Sequence, residues 1–377
     1  MNVLHLIDTT GPGGAETVFV ELISGLHSAG YQPTIVLRGE GWVSERIRSL
    51  GFEPVIIDSK GSFNIRYLLE LVKLIRQRDI SLIHAHLLGS NVYGAAAALI
   101  TQKPMIATFH GNVDVAAAER FLKTKFKIVG AGASAIVCVS GQLQDSLNAR
   151  SALPKHKLRL IYNGVDPCRF GISRASSLRE ELGLPPAAKI ILSIGNIRPA
   201  KGYHRLVEAA AKLVPQRRDH HFVIVGHQRA ELYGQLVSQI NAAGLAGNIH
   251  FLGFREDVES LLGQADFFLL PSISEGFSIS TVEAMMSGVP VIATRSGGPE
   301  EIVKDNETGI LVQADSSQGI VDGIERLESQ QFTQRLVQSA KRHAVANFSR
   351  QAMLEAYQTL YQEMLRPWMH SDEVQTP

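Results

Sequence analysis

Short apolar runs alternate with amphipathic segments along almost the whole chain, and this alternation sets narrow limits on the fold. The runs are apolar throughout rather than at every second residue, which is typical of parallel strands covered by helices on both faces. Strands and helices that alternate in this way predict doubly wound α/β domains. The predicted strands are residues 3–7, 34–37, 55–57, 82–85, 105–108, 135–139, 158–161, 190–194, 221–225, 249–251, 267–270, 289–293 and 309–312.

Turn-forming residues interrupt the alternation before residue 170 and predict a domain boundary. Asn163-Gly164 favours positive φ, and we place a hinge near residues 163–170. The sequence therefore predicts an N-terminal Rossmann-like domain at residues 1–165 and a C-terminal one at residues 170–349. Ligands of open α/β sheets bind at the carboxyl ends of the strands, so we expect a binding site in the cleft between the two domains.

The C-terminal segment predicts one further helix. Leu354, Tyr357, Tyr361 and Met364 recur at helical spacing, with Ser349 as a predicted N-cap. We expect this helix to cover residues 350–366 and to join the N-terminal domain.

Composition narrows the class of protein. The chain has 377 residues, 45% of them hydrophobic and 19% charged, and its formal net charge of +1 does not favour nucleic-acid binding. Cys138 and Cys168 indicate neither a disulfide framework nor a zinc site. The apolar runs at 3–7 and 92–100 are too short for a signal peptide or a membrane span. We expect a cytoplasmic protein that is at most peripheral to a membrane.

Residues 271–290 carry the sharpest functional pattern: a loop after an apolar strand, a short helix, a glycine stop and the next strand. The helix begins near Ser278 to Ser280, where free backbone N–H groups and the helix dipole favour a diphosphate. Glu275 precedes the helix, and Glu283, about one turn inside it, could accept hydrogen bonds from two ribose hydroxyls. Two other interpretations stay open. Ser280 to Glu283 also fits a capping box, and Glu275 could be an exposed loop acid.

The Glu-x7-Glu spacing of Glu275 and Glu283 in this strand–loop–helix context closely resembles family 4 of the retaining glycosyltransferases, which have the GT-B fold of two facing Rossmann-like domains. The resemblance covers nearly the whole chain. Its other landmarks stand in the expected order: Gly13-Gly14-Ala15-Glu16, His110-Gly111, Asn163-Gly164-Val165-Asp166, Gly195 through Lys201-Gly202, and Val225-Gly226.

The resemblance implies roles for several of these residues. His110 would contact the transferring sugar, and Lys201 would neutralise the donor diphosphate. Glu275 would lie beside the sugar, whose hydroxyls the backbone of Gly276, Phe277 and Ser278 could also hold. A histidine at a strand end and a lysine in a loop are, taken alone, more often structural or solvated residues.

Two further positions are less clearly assigned. The family often has an arginine immediately after the glycine of Gly195, where this chain has Asn196, so Arg198 is a candidate for the second positive charge. At the first helix, the backbone of Gly13 and Gly14 could approach a phosphate or an acceptor, although a glycine pair also makes a simple tight turn.

Two patterns are missing from the sequence. It has no Asp-x-Asp after a strand, the carboxylate pair with which many glycosyltransferases hold a divalent metal, and no complete nicotinamide fingerprint. We expect a retaining, metal-independent enzyme without a cofactor. It would move a hexosyl or N-acetylhexosaminyl group from a UDP-, GDP- or ADP-sugar to a glycan or lipid-linked glycan, as in polysaccharide or cell-surface glycan synthesis. A nucleotide-sugar 2-epimerase and a non-catalytic sugar-nucleotide-binding partner protein stay open as alternatives.

A mixed basic and apolar segment bears on the acceptor. Residues 120–129 carry Arg120, Lys123, Lys125 and Lys127 among apolar residues on a predicted helix. Such a face could rest on anionic lipid and bring a lipid-linked acceptor to the enzyme. An ordinary amphipathic helix with its lysines in water is the alternative.

Overall fold

Each half of the chain forms a parallel β-sheet flanked by helices. The structure is a computed structural model that describes residues 1–58, 64–111, 119–149, 153–171 and 177–369, with side chains described as far as residue 366. One unit comprises Met1–Gly164 together with the C-terminal segment from Arg350. The other comprises Val165–Ser349.

The first unit contains a seven-stranded sheet in the order β3-β2-β1-β4-β5-β6-β7, with parallel pairing throughout. Its strands are β1 (Asn2–Ile7), β2 (Gln32–Leu37), β3 (Val55–Ile56), β4 (Leu82–His86), β5 (Met105–Phe109), β6 (Ala135–Cys138) and β7 (Leu158–Leu160). Its helices before the domain boundary are α1 (Gly14–Ser28), α2 (Trp42–Ser49), α3 (Ile65–Gln77), α4 (Leu88–Thr101), α5 (Leu122–Gly132) and α6 (Gly141–Ala149). The strand order reverses between β1 and β4, which marks a ligand-binding position in sheets of this kind.

The second unit repeats this plan with a six-stranded parallel sheet in the order β10-β9-β8-β11-β12-β13. Its strands are β8 (Lys189–Ile194), β9 (His220–Val225), β10 (Ile249–Gly253), β11 (Phe267–Leu270), β12 (Val291–Arg295) and β13 (Ile310–Gln313). Its helices are α7 (Leu178–Glu181), α8 (Tyr203–Leu213), α9 (Ala230–Ala242), α10 (Val258–Leu262), α11 (Ile279–Ser287), α12 (Pro299–Ile302), α13 (Ser317–Leu327) and α14 (Gln330–Phe348). Here the order reverses between β8 and β11.

The last helix, α15 (Arg350–Met369), completes the core of the first unit. A Cβ atom at Gly25 of α1 would lie 2.4 Å from Leu354 Cδ1, so the absence of a side chain lets the two helices pack closely. Leu354 and Tyr361 are buried, and the Tyr361 hydroxyl is 2.7 Å from His84 Nδ1 in β4. Ser349 is the single residue between α14 and α15.

The α/β prediction is confirmed, and each predicted strand overlaps a strand of the structure. The prediction placed the start of β12 at residue 289, but the strand begins at Val291, because Pro290 has no backbone N–H to donate to a neighbouring strand. Residues 120–129 were predicted to be helical throughout. Instead α5 begins at Leu122, and Phe121 before it has a left-handed φ of 58°. Among the described residues, no helix is both long and apolar enough to cross a membrane.

Candidate functional site

Two loops meet where the strand order of the second sheet reverses. One follows β8 and the other follows β11, and both leave the carboxyl ends of neighbouring strands. Gly202 in the first loop has a φ of 64°, and a Cβ atom there would lie 2.0 Å from the carbonyl oxygen of Pro271 in the second. The backbone N–H of Ile273 donates to the carbonyl of Ala200 at 2.7 Å. The two loops are therefore packed backbone against backbone.

This contact brings the predicted residues Lys201 and Glu275 together. Lys201 Nζ lies 2.6 Å from Glu275 Oε1, and the Ser272 hydroxyl donates to the same oxygen at 2.6 Å. The lysine stem runs over Gly195, where a Cβ atom would lie 2.9 Å from Lys201 Cε. An ammonium group has three N–H donors. Glu275 thus fixes the position of a cation that still has donors for a second anion.

The N-terminus of α11 adjoins the second loop, as predicted. Ser278 is its N-cap and accepts hydrogen bonds from Thr281 N at 3.3 Å and from Thr281 Oγ1 at 2.8 Å. The alternative capping box at Ser280 is wrong, because Ser280 already lies in the first turn and its hydroxyl donates to the carbonyl of Ile194 at 3.3 Å. Glu283 lies in the second turn, too far along the helix to cap it.

Glu283 is held by a cation that the sequence analysis did not identify. The Glu283 side chain is 9% exposed, and Arg169 Nη1 lies 3.4 Å from its Oε1. Arg169 Nε also contacts Glu259 Oε1 at 2.8 Å. Burial and, to a smaller extent, the charge of Glu259 raise the pKa of the Glu283 carboxyl to about 7, although the charge and hydrogen bond of Arg169 favour the ionised form. Glu283 therefore changes its charge near neutral pH.

The loop between Glu275 and α11 is fixed from the side of β12. Glu275 N donates to the carbonyl of Ser296 at 2.8 Å, and Gly298 N donates to the carbonyl of Glu275 at 3.1 Å. A Cβ atom at Gly298 would lie 2.4 Å from the carbonyl oxygen of Gly276. The ring of Phe277 is buried and packs edge-on against Phe348. Phe277 thus anchors the loop with its side chain, which leaves its backbone as the part that could contact a ligand.

Asn196 and Arg198 do not join the Lys201–Glu275 pair. Asn196 Oδ1 accepts a hydrogen bond from His227 N at 2.9 Å, which links the loops after β8 and β9. Arg198 is exposed, and among the residues that the structure describes it has no ion-pair partner. The predicted second cation is therefore not part of the cluster, and the sequence position of Arg198 could not reveal its direction.

His110, which belongs to the first unit, follows β5 and contacts a second imidazole. Its Nε2 lies 3.0 Å from Nδ1 of His86, and the two rings stack with centroids 5.2 Å apart. Burial lowers the pKa of His110 to about 4, so the ring is neutral at pH 7. His86 was not among the predicted site residues. The available signal was its place at the end of β4, beside the strand that ends before His110.

His86 also belongs to a group of three buried imidazoles. The ring nitrogens of His5, His84 and His86 lie within 4.8 Å of one another, a spacing that could hold a metal ion. However, His84 already uses both nitrogens, one 2.7 Å from the Tyr361 hydroxyl and the other 2.8 Å from Thr108 Oγ1. Burial lowers the pKa of all three. His84 therefore serves the core.

Gly13 and Gly14 also belong to the first unit, at the start of α1. Gly13 is the N-cap residue and has an extended backbone with φ of −176°. Its carbonyl accepts from the backbone N–H of Thr17 at 2.9 Å and from the Thr17 hydroxyl at 3.0 Å. A Cβ atom at Gly13 would lie 2.5 Å from Glu16 Oε2, so glycine leaves room for this side chain.

Two family models match the chain, one for each half. Residues 12–169 match Glycosyltransferase Family 4, and residues 175–345 match Glycosyl transferases group 1.

Curated relatives match over most of their length. An N-acetyl-alpha-D-glucosaminyl L-malate synthase of Bacillus anthracis is 23% identical over 365 residues, which are 94% of this chain and 95% of that protein. The lipopolysaccharide core biosynthesis glycosyltransferase LpsE of Rhizobium meliloti is 27% identical over 361 residues, 92% of this chain and 94% of that one. An Escherichia coli UDP-Gal:alpha-D-GlcNAc-diphosphoundecaprenol alpha-1,3-galactosyltransferase is 23% identical over 312 residues, 80% of each chain.

Solved structures share the fold. Anabaena HepE in complex with UDP-glucose has a TM-score of 0.86 and 24% identity, and the match covers 96% of this chain and 100% of that one. A glycosyltransferase from Rickettsia africae has a TM-score of 0.86 and 23% identity, with 97% and 98% covered. At these identities the likeness establishes the GT-B fold and no finer property.

Proposed function

The chain belongs to glycosyltransferase family 4, the group 1 glycosyltransferases, and we propose that it moves a hexosyl or N-acetylhexosaminyl group from a nucleotide diphosphate sugar to a glycan or lipid-linked glycan. The observation that carries the proposal is the Lys201–Glu275 ion pair beside the N-terminus of α11, at the point where the second sheet reverses its strand order. The names of the relatives support it, since they include a galactosyltransferase that acts on a diphosphoundecaprenol-linked sugar.

Lys201 and α11 would stabilise the leaving group. Breaking the glycosidic bond builds negative charge on the β-phosphate, and donors that are already in place stabilise such charge most strongly. Glu275 holds the Lys201 ammonium at 2.6 Å, which fixes it before the donor arrives. The free N–H groups at the start of α11 add the positive end of the helix dipole.

Glu283 and Glu275 would divide the recognition of the donor. Glu283, ionised and oriented by Arg169, would accept hydrogen bonds from the ribose hydroxyls. Glu275 would lie beside the sugar, whose hydroxyls could also bind the backbone N–H groups of Gly276, Phe277 and Ser278. His110 would contact the transferring sugar as a neutral donor or acceptor, because its lowered pKa keeps it uncharged.

We propose retention of the anomeric configuration by a front-face path. In this path the leaving phosphate oxygen helps to take the proton from the acceptor hydroxyl while the new bond forms on the same face of the sugar. No metal is required in this scheme. Lys201 and α11 would provide the positive charge that a divalent ion provides elsewhere.

We place the enzyme at the cytoplasmic face of a membrane in polysaccharide or cell-surface glycan synthesis. Lys123 and Lys127 of α5 and the exposed Phe121 before it could rest on anionic lipid. Sedimentation with anionic liposomes tests this contact. Lys123→Glu with Lys127→Glu should abolish cosedimentation, and equal binding of the variant would refute it.

A thermal-shift screen tests the donor assignment. UDP, GDP, ADP and their common sugar conjugates are added to the protein without metal and with a chelator. One nucleotide family should raise the melting temperature in chelator, because a ligand that binds only the folded state stabilises it. No shift by any nucleotide would contradict donor binding, and a shift that needs added metal would contradict the metal-independent scheme.

Matched variants connect the shift to the site. Glu283→Gln keeps the size of the side chain and should reduce the shift. Glu231→Gln, at an exposed position of α9, is the control and should leave it unchanged.

A further inference from the structure

The first sheet has its own polar cluster at the point where its strand order reverses. Asp8 follows β1, and its Oδ2 accepts from the backbone N–H of Ser90 in the first turn of α4 at 3.2 Å. Gly89 makes this approach feasible, since a Cβ atom there would lie 2.1 Å from the same oxygen. Ligands of open α/β sheets bind at the carboxyl ends of the strands at such a reversal.

A cation from the neighbouring strand balances the charge of Asp8. Arg38 follows β2, and its Nη1 lies 3.9 Å from Asp8 Oδ2, with 26% and 14% of the two side chains exposed. Burial raises the pKa of Asp8, while Arg38 and the backbone N–H groups of Ser90 and Gly89 oppose the shift. The pair thus carries no net charge when both groups are ionised, and it is reachable from solvent.

Three hydroxyl groups around this pair are buried without a hydrogen-bond partner among the described residues: Thr9 Oγ1, Tyr67 Oη and Ser90 Oγ. Tyr67 and Ser90 are each 1% exposed. The Tyr67 ring packs edge-on against Tyr93 of α4, one turn after Ser90, with ring centroids 4.9 Å apart, and the charges of Arg38 and Asp8 act on its hydroxyl. Buried hydroxyl groups normally have partners, because leaving one unsatisfied costs about 1–3 kcal/mol.

We propose that this β1–β4 cluster (Asp8, Thr9, Arg38, Tyr67 and Ser90) binds a neutral sugar ring of the acceptor. The assignment of the ligand as an acceptor rests on the proposed function. Hydroxyl groups that both donate and accept match the hydroxyl groups of a sugar, and Asp8 and Arg38 add a strong acceptor and a strong donor.

The charges of the cluster favour a neutral ring over a charged acceptor group. An anionic acceptor would meet the carboxylate of Asp8, and a cationic one would meet Arg38. In either case one member of the pair would be left facing a like charge at short distance, which is unfavourable in a partly buried site.

The position of the cluster fits an acceptor. The first sheet places β4 between β1 and β5, and neighbouring strands lie about 4.8 Å apart, so Asp8 after β1 and His110 after β5 are separated by about 10 Å. That distance spans one to two sugar rings. One end of an acceptor ring held by the cluster would point towards His110, which we propose contacts the transferring sugar.

Ligand-observed NMR by saturation transfer tests the proposal without enzyme turnover. The probes are the neutral methyl glycosides of glucose, galactose and N-acetylglucosamine, and the anionic methyl glucuronide and glucose 6-phosphate. We expect saturable binding of at least one neutral glycoside. Asp8→Asn should weaken it about tenfold or more and Tyr67→Phe about fivefold, as expected for the loss of a charged and a neutral hydrogen bond.

Tyr31→Phe is the matched control, because it removes a hydroxyl that precedes β2, at the opposite edge of the same sheet. It should leave binding unchanged, and circular dichroism should show that all variants are folded. Tyr67→Phe decides the question alone where Asp8→Asn does not fold. Binding of only the anionic probes, no binding of any glycoside, or equal affinity in Tyr67→Phe and Tyr31→Phe would overturn the proposal. If the protein binds a glycoside but no nucleotide, the proposed function is refuted. The proposal that the β1–β4 cluster binds a sugar ring then still holds.

Discussion

Glu283 carries a charge that depends on pH in the range where the protein would work. Its carboxyl is buried in the second turn of α11, and Arg169 is the cation that favours its ionised form. The ionised carboxylate offers two acceptor oxygens to the two ribose hydroxyls, whereas protonation turns one of these oxygens into a donor and removes the negative charge. The affinity for the donor should therefore depend on pH, with a midpoint set by the raised pKa of Glu283.

We predict that affinity for the nucleotide sugar falls about tenfold from pH 8 to pH 6. The pKa of Glu283 is about 7, so the ionised fraction drops by about that factor over this interval. A nucleotide sugar is the right probe, because its diphosphate diester does not titrate in the same range. Isothermal titration at several pH values measures the effect, and Glu283→Gln should bind weakly with no pH dependence. A flat profile in the wild type would rule out Glu283 as the ribose ligand.

The sequence was sufficient to predict several residues of this site, but it did not reveal which of them contact one another. Lys201 and Glu275 were both predicted from patterns within their own loops, but nothing local indicates that they form an ion pair. Arg169 was missed because it lies 114 residues before Glu283 in no recognisable motif. Arg198 was the candidate for the second positive charge, and it is exposed, because side-chain direction in a loop depends on packing that spacing does not encode.

The two loops after β8 and β11 act as one structural element. Gly202 is required where they meet, because its φ is 64° and a Cβ atom would lie 2.0 Å from the carbonyl oxygen of Pro271. The same contact sets the position of Lys201 relative to Glu275. Packing between the loops therefore governs the geometry of the donor site.

We predict that Gly202→Ala destabilises the protein by about 2 kcal/mol or more. A left-handed conformation costs a residue with a Cβ atom about 1–2 kcal/mol, and the collision with Pro271 adds to it. Chemical denaturation followed by circular dichroism measures the change. The variant should also lose the thermal response to nucleotide, because the loops must separate.

Gly234→Ala is the control for this substitution. Gly234 lies within α9, has no atom within 4 Å of a built Cβ and has no positive φ. Alanine there should raise stability by about 0.5–1 kcal/mol, because it favours the helix. Equal effects of the two substitutions would show that the loop contact is not as described.

The start of α11 was predictable in position but not in its capping pattern. The sequence placed the start of the helix near Ser278 to Ser280 and left a capping box from Ser280 to Glu283 open as an alternative. The structure uses Ser278 because Ser280 is drawn to the carbonyl of Ile194 in β8. The cap thus depends on a contact with a distant strand, which the local sequence does not reveal.

Each unit buries apolar side chains of its own among the described residues. The core of the first unit is completed by α15, which comes from the far end of the chain and buries Leu354 against Gly25. The second core lies within Val165–Ser349. Separate cores give each unit its own stability.

We predict that Leu354→Ala lowers the stability of the first unit alone. Removing a buried leucine side chain costs about 2–5 kcal/mol, and α15 belongs to the first unit. Calorimetry in the presence of the preferred nucleotide should resolve two transitions, with the variant shifting one and the nucleotide the other. A single transition that both changes move equally would contradict this division.

The alternation of strands and helices was sufficient to predict the α/β architecture of both halves, because continuous apolar runs indicate parallel strands. The interior of the first unit was not predictable in the same way. The hydrogen bond between Tyr361 and His84 joins residues 277 positions apart, so neither residue carries a local sign of the other. Nothing in the sequence indicated the β1–β4 cluster. Asp8, Arg38 and Tyr67 belong to no recognisable motif, and they come together only when the chain folds.

Steady-state kinetics of nucleotide-sugar cleavage, with Lys201→Ala and Glu283→Ala beside the exposed control Lys212→Ala, tests the donor site most directly. Lys201→Ala should lower kcat about 100-fold or more with a smaller change in KM, because its charge matters most as the phosphate leaves. Glu283→Ala should mainly raise KM for the donor, and Lys212→Ala should match the wild type. Wild-type kcat and KM in both site variants would contradict the assignment of the Lys201–Glu275 loops and α11 as the donor site.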